Sequence, residues 1–240
     1  MFTDFGFKNV EAAVKKGLVQ GVFKNVASNY DRMNDVMSGG LHRYWKRQFI
    51  SNLPIGQGSQ VLDLAGGTGD IAFGILDKFN HLTPEITLCD LTYDMIEVGQ
   101  DRAVNKGLLQ NLNWTVGNAE STPFKDASFD IVTISFGLRN CTYKEKVLSD
   151  ALRVLKPGGL IIFTTLVDGT LHELKSSWRQ VDDDQHVIDF KTEDQLGEYF
   201  NTEASSVLEH KCQDITLEYQ NVIHLARELK GLGANHLPKK

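Results

Sequence analysis

The stretch VLDLAGGTGD at residues 61–70 decides the fold of this chain. The apolar segment Gln60–Leu64 runs into a glycine-rich turn, and residues 71–79 follow with the composition of a helix. Strand, tight turn and helix in this order open a doubly wound α/β domain, in which ligands bind beyond the carboxyl ends of the strands. Gly67 and Gly69 predict a backbone that comes close to a ligand, because glycine has no Cβ to hold the ligand away.

The turn differs from a dinucleotide fingerprint in its charge. The fingerprint G-x-G-x-x-G places a pyrophosphate on the helix N-terminus, but here a carboxylate, Asp63, stands at the end of the strand. A carboxylate repels a pyrophosphate and attracts an amine. The next apolar run ends in Asp90, at the position that binds ribose hydroxyls in such folds. An amine partner at Asp63 and a ribose partner at Asp90 indicate S-adenosylmethionine; an ordinary NAD site or an empty structural turn is the alternative.

Length and composition restrict the function classes. The 240 residues allow one large α/β domain or two small ones, and 41% hydrophobic residues are enough for a substantial core. A formal net charge of −6 argues against a nucleic-acid binder, which normally has a basic stripe. The three cysteines lack the spacing of a metal site, and Cys89 and Cys212 fall in predicted strands, where we expect them to be buried. Without a visible signal peptide or transmembrane run, we expect a soluble, cytoplasmic chain without a metal or a nucleic-acid partner.

The middle of the chain alternates strands and helices. The predicted strands are 60–64, 86–91, 113–117, 129–136 and 160–166, and the predicted helices are about 70–80, 93–106 and 144–155. A turn is predicted at 156–159, where Pro157 stops the helix and two glycines follow. The alternation predicts a mostly parallel sheet with right-handed crossovers. We divide the single domain into a helical lid (1–52), a cofactor-binding core (53–166) and a C-terminal, substrate-side segment (167–240).

The segment 1–52 carries more specific features than a simple leader would. Apolar residues repeat at helical spacing, first at Val19, Val22, Phe23 and Val26 and then at Met33, Val36 and Met37. A basic and aromatic segment, 42–47, follows two glycines. We predict two short helices and a basic helix, which together form a lid over the strand ends. The basic helix either docks on an anionic lipid or substrate, or is an ordinary solvated face.

The remaining ligand contacts are expected at the ends of the later strands. Asn118-Ala119-Glu120 follows the third predicted strand, where an adenine would lie, although Asn118 fits a simple turn equally. The segment 135–140, SFGLRN, closes the fourth strand and faces the expected reaction centre. Its Arg139 is costly to desolvate unless an anion pairs with it. That anion is either a substrate or a local carboxylate.

From about residue 5 to 159 the chain resembles the ubiquinone/menaquinone-biosynthesis C-methyltransferases. The matching segments are VASNYD (26–31), MND (33–35), LHRxWK (41–46), LDLAGGTGD (62–70), NAE (118–120) and FGLRN (136–140), of which the last is highly specific. The resemblance implies a class I S-adenosylmethionine-dependent methyltransferase with a Rossmann-like fold. It also implies that the cofactor contacts Thr68, Asp90, Asn118, Ala119 and Ser135. The chain departs from the family at Leu91-Thr92-Tyr93, where a small Asn-containing segment is usual, close to the expected ribose and methionine contacts.

Beyond about residue 160 a second resemblance takes over. Residues 163–182 and 227–236 are similar to the malonyl-carrier-protein O-methyltransferases of biotin synthesis. That family continues past this last motif to a final strand, whereas this chain ends at Lys240. We therefore expect either a composite or an unusual intermediate sequence, in which the last strand of the sheet is missing.

Both resemblances imply methyl transfer from S-adenosylmethionine, and they differ in the acceptor. The favoured interpretation is C-methylation of a lipid-tailed demethyl quinol, with Arg139 stabilising the oxyanion that develops on the ring and Tyr30 from the lid as a second catalytic candidate. The alternative is O-methylation of a malonyl group on an acyl-carrier protein, for which an arginine orients an existing carboxylate. A cofactor-binding module without turnover is a third interpretation. With a quinol we expect weak peripheral membrane contact through 42–47, and a homodimer is compatible with the sequence.

Overall fold

A computed structural model describes residues 2–5, 8–11, 17, 41–187, 189–200 and 209–231. Two short antiparallel strands, β1 (Phe2–Phe5) and β2 (Lys8–Glu11), come first. A parallel sheet follows, built from β3 (Gln60–Leu64), β4 (Glu85–Asp90), β5 (Leu112–Val116), β6 (Phe129–Ser135) and β7 (Leu155–Thr164) in the order β5-β4-β3-β6-β7. The chain winds outward from β3 first in one direction and then in the other, so the topological switch lies between β3 and β6. The doubly wound parallel fold predicted from the sequence is confirmed.

Helices connect the strands and cover the sheet. They are α1 (Leu41–Ser51), α2 (Asp70–Phe79), α3 (Tyr93–Asn105), α4 (Lys144–Val154), α5 (His172–Trp178), α6 (Glu193–Phe200) and α7 (Val222–Gly231), with 3-10 turns at Asn80–Leu82 and Leu138–Asn140. Helix α2 starts with an acidic residue and has a basic residue in its last turn, as the helix dipole favours. Its buried face consists of residues at helical spacing, including Ile71, Ile75 and Leu76.

The apolar core lies on both faces of the sheet. Successive residues of β3 point to opposite faces, so Val61 joins the cluster under α1 and α2, whereas Leu62 and Leu64 join the cluster under α4. Helix α1 contributes Phe49 and Ile50 to the first cluster. This helix is therefore packed into the core and against α2.

The predicted bounds hold for most elements and fail for the last strand. Strand β3 has its predicted bounds, and helices α2, α3 and α4 end within one residue of theirs. Strand β7, in contrast, begins at Leu155, so the turn predicted at 156–159 lies inside the strand. The reason is pairing with β6, because Phe129 lies opposite Leu155 and Ile131 opposite Leu160. Between these two pairs β7 has more residues than β6, so β7 forms a bulge there, with Gly158 at φ +79°.

Predictions for the ends of the chain are partly wrong. The basic helix is confirmed as α1, but residues 2–11 contain β1 and β2 where a helical segment was predicted; their aromatic and β-branched residues favour strands. The predicted helices at 19–26 and 33–37, and Tyr30, lie outside the described residues. Cys212 is exposed in irregular backbone, so its predicted place in a buried strand is wrong.

The C-terminal part contributes helices and irregular segments. Among the described residues after Thr164 the structure contains α5, α6 and α7 and no further strand. Within the described part of the chain, no helix combines the length and apolar character that crossing a bilayer requires.

Candidate active site

A cavity of about 360 Å³ opens at the carboxyl ends of strands β3 to β6, the edge at which open α/β sheets bind ligands. Its volume is within the range of small-molecule sites. Six residues predicted from the sequence line it: Gly67, Asp90, Asn118, Ala119, Ser135 and Arg139. Three others, Asp63, Thr68 and Gly69, are not part of its lining.

Asp90 ends β4 and shapes the cavity wall beside the glycine turn. Its Oδ2 accepts a hydrogen bond from the Gly67 N–H at 2.9 Å, and its Oδ1 accepts one from the Thr92 N–H at 2.8 Å. Burial raises the pKa of Asp90, and the hydrogen bonds from Thr92 and Gly67 oppose this rise. The Thr92 side chain and the Leu91 backbone also donate to this carboxylate. Asp90 therefore holds the turn in place while its side chain borders the cavity, where a ligand diol could meet it.

Only one of the two predicted glycines faces the cavity. Gly67 has φ +56°, and a Cβ built on it would have no neighbour within 4 Å, so its backbone borders open space. Gly69 has φ +93°, but a Cβ there would lie 3.0 Å from the Phe73 ring and 3.2 Å from the Trp114 ring. Gly69 is therefore required for the start of α2 and its packing, and not for close approach to a ligand as the sequence suggested.

Asp63, predicted to bind an amine, is 0% exposed. Its Oδ1 accepts a hydrogen bond from Thr133 Oγ1 at 2.8 Å, and its Oδ2 has no hydrogen-bond partner among the described residues. Burial raises the pKa of Asp63 to about 7, although the Thr133 hydrogen bond lowers it. A Cβ on Gly66 would lie 2.7 Å from Oδ2, which shows how tightly the turn covers the carboxyl group. This geometry does not support the predicted direct contact with a ligand amine.

Thr68, which the family resemblance assigns to the cofactor, is buried and bonded to α3. Arg102 Nη1 donates to Thr68 Oγ1 at 2.7 Å and to the Thr68 carbonyl at 3.0 Å. Arg102 also pairs with Asp70 Oδ1 at 2.7 Å, and Lys46 of α1 pairs with Asp70 Oδ2 at 2.5 Å. Burial would raise the pKa of Asp70, but Lys46 and Arg102 together lower it to about 2.

This ion-pair network was missed by the sequence analysis. Asp70 offered a signal, because an acid at the first position of a helix favours the helix start, but nothing in the sequence linked it to Arg102, which is 32 residues away. Lys46 was predicted to be part of the basic surface 42–47. The structure corrects this assignment, since Lys46 is committed to an internal ion pair whose two side chains are 18% and 23% exposed.

The loop after β6 forms another part of the cavity wall, next to the end of β3. Phe136 has φ +56°, which is uncommon for an aromatic residue, and a Cβ on Gly137 would lie 2.6 Å from Ala65 Cβ. Arg139 follows on the 3-10 turn, is exposed, and lines the cavity. Because it is exposed, the desolvation cost argued from the sequence does not apply to it.

Glu120 lines the cavity, as its place in the segment Asn118-Ala119-Glu120 predicts, although no role was predicted for its side chain. Its N–H donates to Asn118 Oδ1 at 3.1 Å, so Asn118 is both a turn residue and a cavity residue. Its Oε1 accepts hydrogen bonds from the N–H groups of Thr142 at 2.8 Å and Tyr143 at 2.9 Å. The available signal was its place directly after Asn118-Ala119.

Cys89 lines the cavity, but its thiol is poorly suited to nucleophilic chemistry. Burial raises the pKa of the Cys89 thiol to about 12, so the thiol stays protonated at neutral pH and is a poor nucleophile. Among the described residues, no group of three or more His, Cys, Asp or Glu side chains is arranged to hold a metal ion.

Comparison with known proteins identifies relatives of this chain. The model of the ubiE/COQ5 methyltransferase family matches residues 9–184. The ubiquinone/menaquinone biosynthesis C-methyltransferase UbiE of Shewanella piezotolerans is 49% identical over 163 residues, which are 67% of this chain and 63% of that protein. The UbiE of Shewanella sp. strain W3-18-1 is 44% identical over 207 residues, which are 85% of this chain and 78% of that protein. The chain thus spans about 63% of the length of the first of these relatives.

Solved structures agree on the fold. A chain from the complex between the Haloferax volcanii Trm112 methyltransferase activator and a methyltransferase has a TM-score of 0.57 and 20% identity, covering 74% of this chain and 73% of that chain. At this level of identity the likeness concerns the fold alone. The family match is more specific, because residues 9–184 include the whole five-stranded sheet and every residue that lines the cavity. The chain belongs to the ubiE/COQ5 methyltransferase family.

Proposed function

We propose that the chain transfers a methyl group from S-adenosylmethionine to a ring carbon of a lipid-tailed demethyl quinol. The observation that carries this proposal is that Asp90 and Arg139 line one cavity, the first at the end of β4 and the second after β6. A carboxylate suited to a ribose diol and an arginine suited to a developing oxyanion are then available to the same reaction. Family membership, and relatives named for ubiquinone/menaquinone biosynthesis, support the same acceptor.

Several features of the cavity suit the proposed cofactor. The Asp90 carboxylate lines the cavity where a ribose would lie, the backbone at Gly67 borders open space, and the cavity lies at the topological switch. Asn118 and Ala119 would lie against the adenine, and Ser135 is at the end of the neighbouring strand β6. When bound, S-adenosylmethionine supplies an electrophilic methyl group.

Arg139 has the proposed catalytic role. A quinol ring carbon becomes nucleophilic as the neighbouring hydroxyl loses its proton, so the site must stabilise negative charge on that oxygen. A preorganised donor at such an oxyanion contributes about 3 kcal/mol, and the guanidinium offers a planar fork of donors for this purpose. Tyr30, which lies outside the described residues, is the proposed second group, as a hydrogen-bond donor or proton relay.

A tritiated-methyl transfer assay tests the proposal, with demethyl quinol and malonyl-carrier protein offered side by side. We expect label in the quinol. Arg139→Ala should lower kcat by about 10²–10³ while calorimetric affinity for S-adenosylmethionine is unchanged, and Arg139→Lys should restore activity only in part because a point charge does not reproduce the fork. Asp90→Ala should instead weaken cofactor binding by about 1.5–3 kcal/mol.

Other outcomes point to other functions. Label on malonyl-carrier protein, with an Arg139→Ala effect confined to KM, would replace the proposal by O-methylation of an existing carboxylate. Cofactor binding without transfer to either acceptor would leave a binding module. Tight NAD binding would reject the cofactor as well as the reaction.

A further inference from the structure

Glu120 connects the two walls of the cavity. It follows Asn118 and Ala119 on the cofactor side, and its Oε1 accepts hydrogen bonds from the N–H groups of Thr142 and Tyr143 at 2.8 and 2.9 Å. These two residues end the loop that carries Arg139. A single carboxylate oxygen therefore ties a segment after β5 to the loop after β6.

The far end of the Arg139 loop depends on this carboxylate. At the near end, the loop is fixed to the sheet by the Phe136 N–H, which donates to the Thr164 carbonyl at 3.0 Å. At the far end, Tyr143 precedes α4 and makes no side-chain cap hydrogen bond. Glu120 thus satisfies N–H groups next to the helix start, and its negative charge suits the N-terminal end of the helix dipole.

The segment that carries Glu120 is itself held firmly. The Glu120 N–H donates to Asn118 Oδ1 at 3.1 Å. Two residues later, Thr122 donates to Asp150 Oδ2 from its N–H at 2.9 Å and from its Oγ1 at 2.6 Å. Because Asp150 belongs to α4, the same segment is bonded both to the helix and to the residues just before it.

We infer that Glu120 is a positioning residue, whose carboxylate fixes the Arg139 loop against the cofactor side of the cavity. Arg139 lies three residues before Thr142, so release of the loop end shifts the guanidinium. A displacement of about 1 Å at a catalytic group costs on the order of 10²-fold in rate. The inference rests on the proposed function for the role of Arg139, whereas the clamp itself is a property of the chain without substrate.

Three variants separate this role from others. Glu120→Ala removes the acceptor oxygens, whereas Glu120→Gln keeps one carbonyl oxygen for both N–H groups and should preserve the clamp. Glu145→Ala is the matched control, because Glu145 is an exposed glutamate in the first turn of α4. If Glu120→Ala does not fold, the comparison of Glu120→Gln with Glu120→Lys, which has no acceptor, takes its place.

Amide hydrogen exchange tests the clamp without any substrate. In Glu120→Ala we expect the Thr142 and Tyr143 amides to exchange about 10- to 100-fold faster, as for the loss of a charged hydrogen-bond acceptor. In Glu120→Gln and Glu145→Ala their exchange should stay near the original rates. Unchanged exchange in Glu120→Ala would overturn the inference.

Methyl-transfer kinetics test the consequence for Arg139. Glu120→Ala should lower kcat by about 10- to 100-fold at saturating cofactor, with the Kd of S-adenosylmethionine unchanged. The double variant Glu120→Ala/Arg139→Ala should be no slower than Arg139→Ala, because the first residue acts through the second. Additive losses would overturn the inference, and a loss confined to cofactor affinity would do so by identifying Glu120 as a direct cofactor ligand. If exchange responds as expected but the parent chain transfers no methyl group, the clamp is supported and the proposed function fails.

Discussion

Asp63 is the next-to-last residue of β3 and Asp90 is the last residue of the neighbouring strand β4, and their surroundings differ completely. Asp90 lines the cavity and accepts two backbone hydrogen bonds. Asp63 is enclosed in the sheet, where Thr133 is its one hydrogen-bond donor among the described residues. Burial without full compensation penalises the ionised form. It therefore raises the pKa of Asp63 to about 7, so that the carboxyl group titrates within the physiological range.

Asp63→Asn should change how the stability of the protein depends on pH. The pKa of Asp63 is about 7 in the folded chain and 3.8 for a free side chain, so the folded state binds more protons between these values and stability falls as pH rises through this window. Asparagine removes the titration. We expect the variant to gain about 2–3 kcal/mol more, relative to the parent, at pH 8 than at pH 5.

Urea unfolding at the two pH values measures this effect. Asp77→Asn, an exposed change on α2, is the control and should give the same difference from the parent at both pH values. An Asp63→Asn difference that is equal at pH 5 and pH 8 would contradict the assigned burial of the charge.

The sequence could not distinguish these two acids, because each follows an apolar run. The two acids differ because other segments pack over Asp63 and not over Asp90. Gly66 and Leu88 cover Asp63 closely, since a Cβ on Gly66 would lie 2.6 Å from Leu88 Cγ. Asp90 was predicted correctly as a cavity residue because its place depends only on the end of its own strand. Its contact with a ribose stays a prediction.

Helix α1 is connected to the rest of the domain by two kinds of contact. Phe49 and Ile50 are buried in the core, with each side chain 6% exposed. Lys46 pairs with Asp70, which begins α2 directly after the glycine turn. An ion pair that is largely shielded from water is weakly screened by salt, so it can contribute to the position of the helix.

Lys46→Met should weaken this attachment by removing the charge while keeping a similar apolar stem. The pKa of Asp70 is lowered from 3.8 to about 2, which corresponds to about 2 kcal/mol of stability at pH 7. Since the folded-state pKa is the lower one, this stability is present above pH 4 and is lost as pH falls toward 2. We expect Lys46→Met to lower the free energy of unfolding by about 1–2 kcal/mol at pH 7.

The check is urea unfolding at pH 7 and pH 3, where the cost of Lys46→Met should be clearly smaller at pH 3. Arg47→Met is the neighbouring control, since Arg47 is exposed on the same helix and should change stability by less than about 0.5 kcal/mol. Equal effects of the two variants at pH 7 would show that the Lys46–Asp70 pair contributes nothing measurable.

Turn-forming residues in the local sequence decided which strand and helix bounds could be predicted. Strand β3 and helix α2 were predicted closely because glycines separate two periodic segments at residues 66–69. Strand β7 was predicted to start too late because Pro157 and two glycines suggest a turn, and only pairing of Phe129 with Leu155 extends the strand across them. Because the partner strand comes from a distant segment, the sequence around the start of β7 contains no signal for this pairing.

Over the whole molecule, the distribution of charge limits contact with a membrane. The chain carries a formal net charge of −6, which opposes approach to an anionic bilayer. The basic segment of α1 was predicted to offer Arg43, Lys46 and Arg47 to lipid. Lys46 is bound to Asp70, whereas Arg43 and Arg47 are exposed on the same helix and are the candidates for that surface.

If the acceptor has a lipid tail, these two arginines should give the chain a weak, salt-sensitive attraction to anionic vesicles. Each cation near an anionic surface contributes about 1 kcal/mol, and salt screens this contribution. We expect co-sedimentation at low salt with vesicles that contain phosphatidylglycerol, and none with phosphatidylcholine alone.

Arg43→Glu/Arg47→Glu should abolish this co-sedimentation. Lys106→Glu/Lys125→Glu makes the same charge change at exposed lysines elsewhere and should weaken the co-sedimentation only slightly. An equal loss in both double variants would mean that net charge, and not this helix, governs the contact. If the chain does not bind the vesicles at any salt concentration, that result would count against α1 as the route to a lipid-tailed substrate.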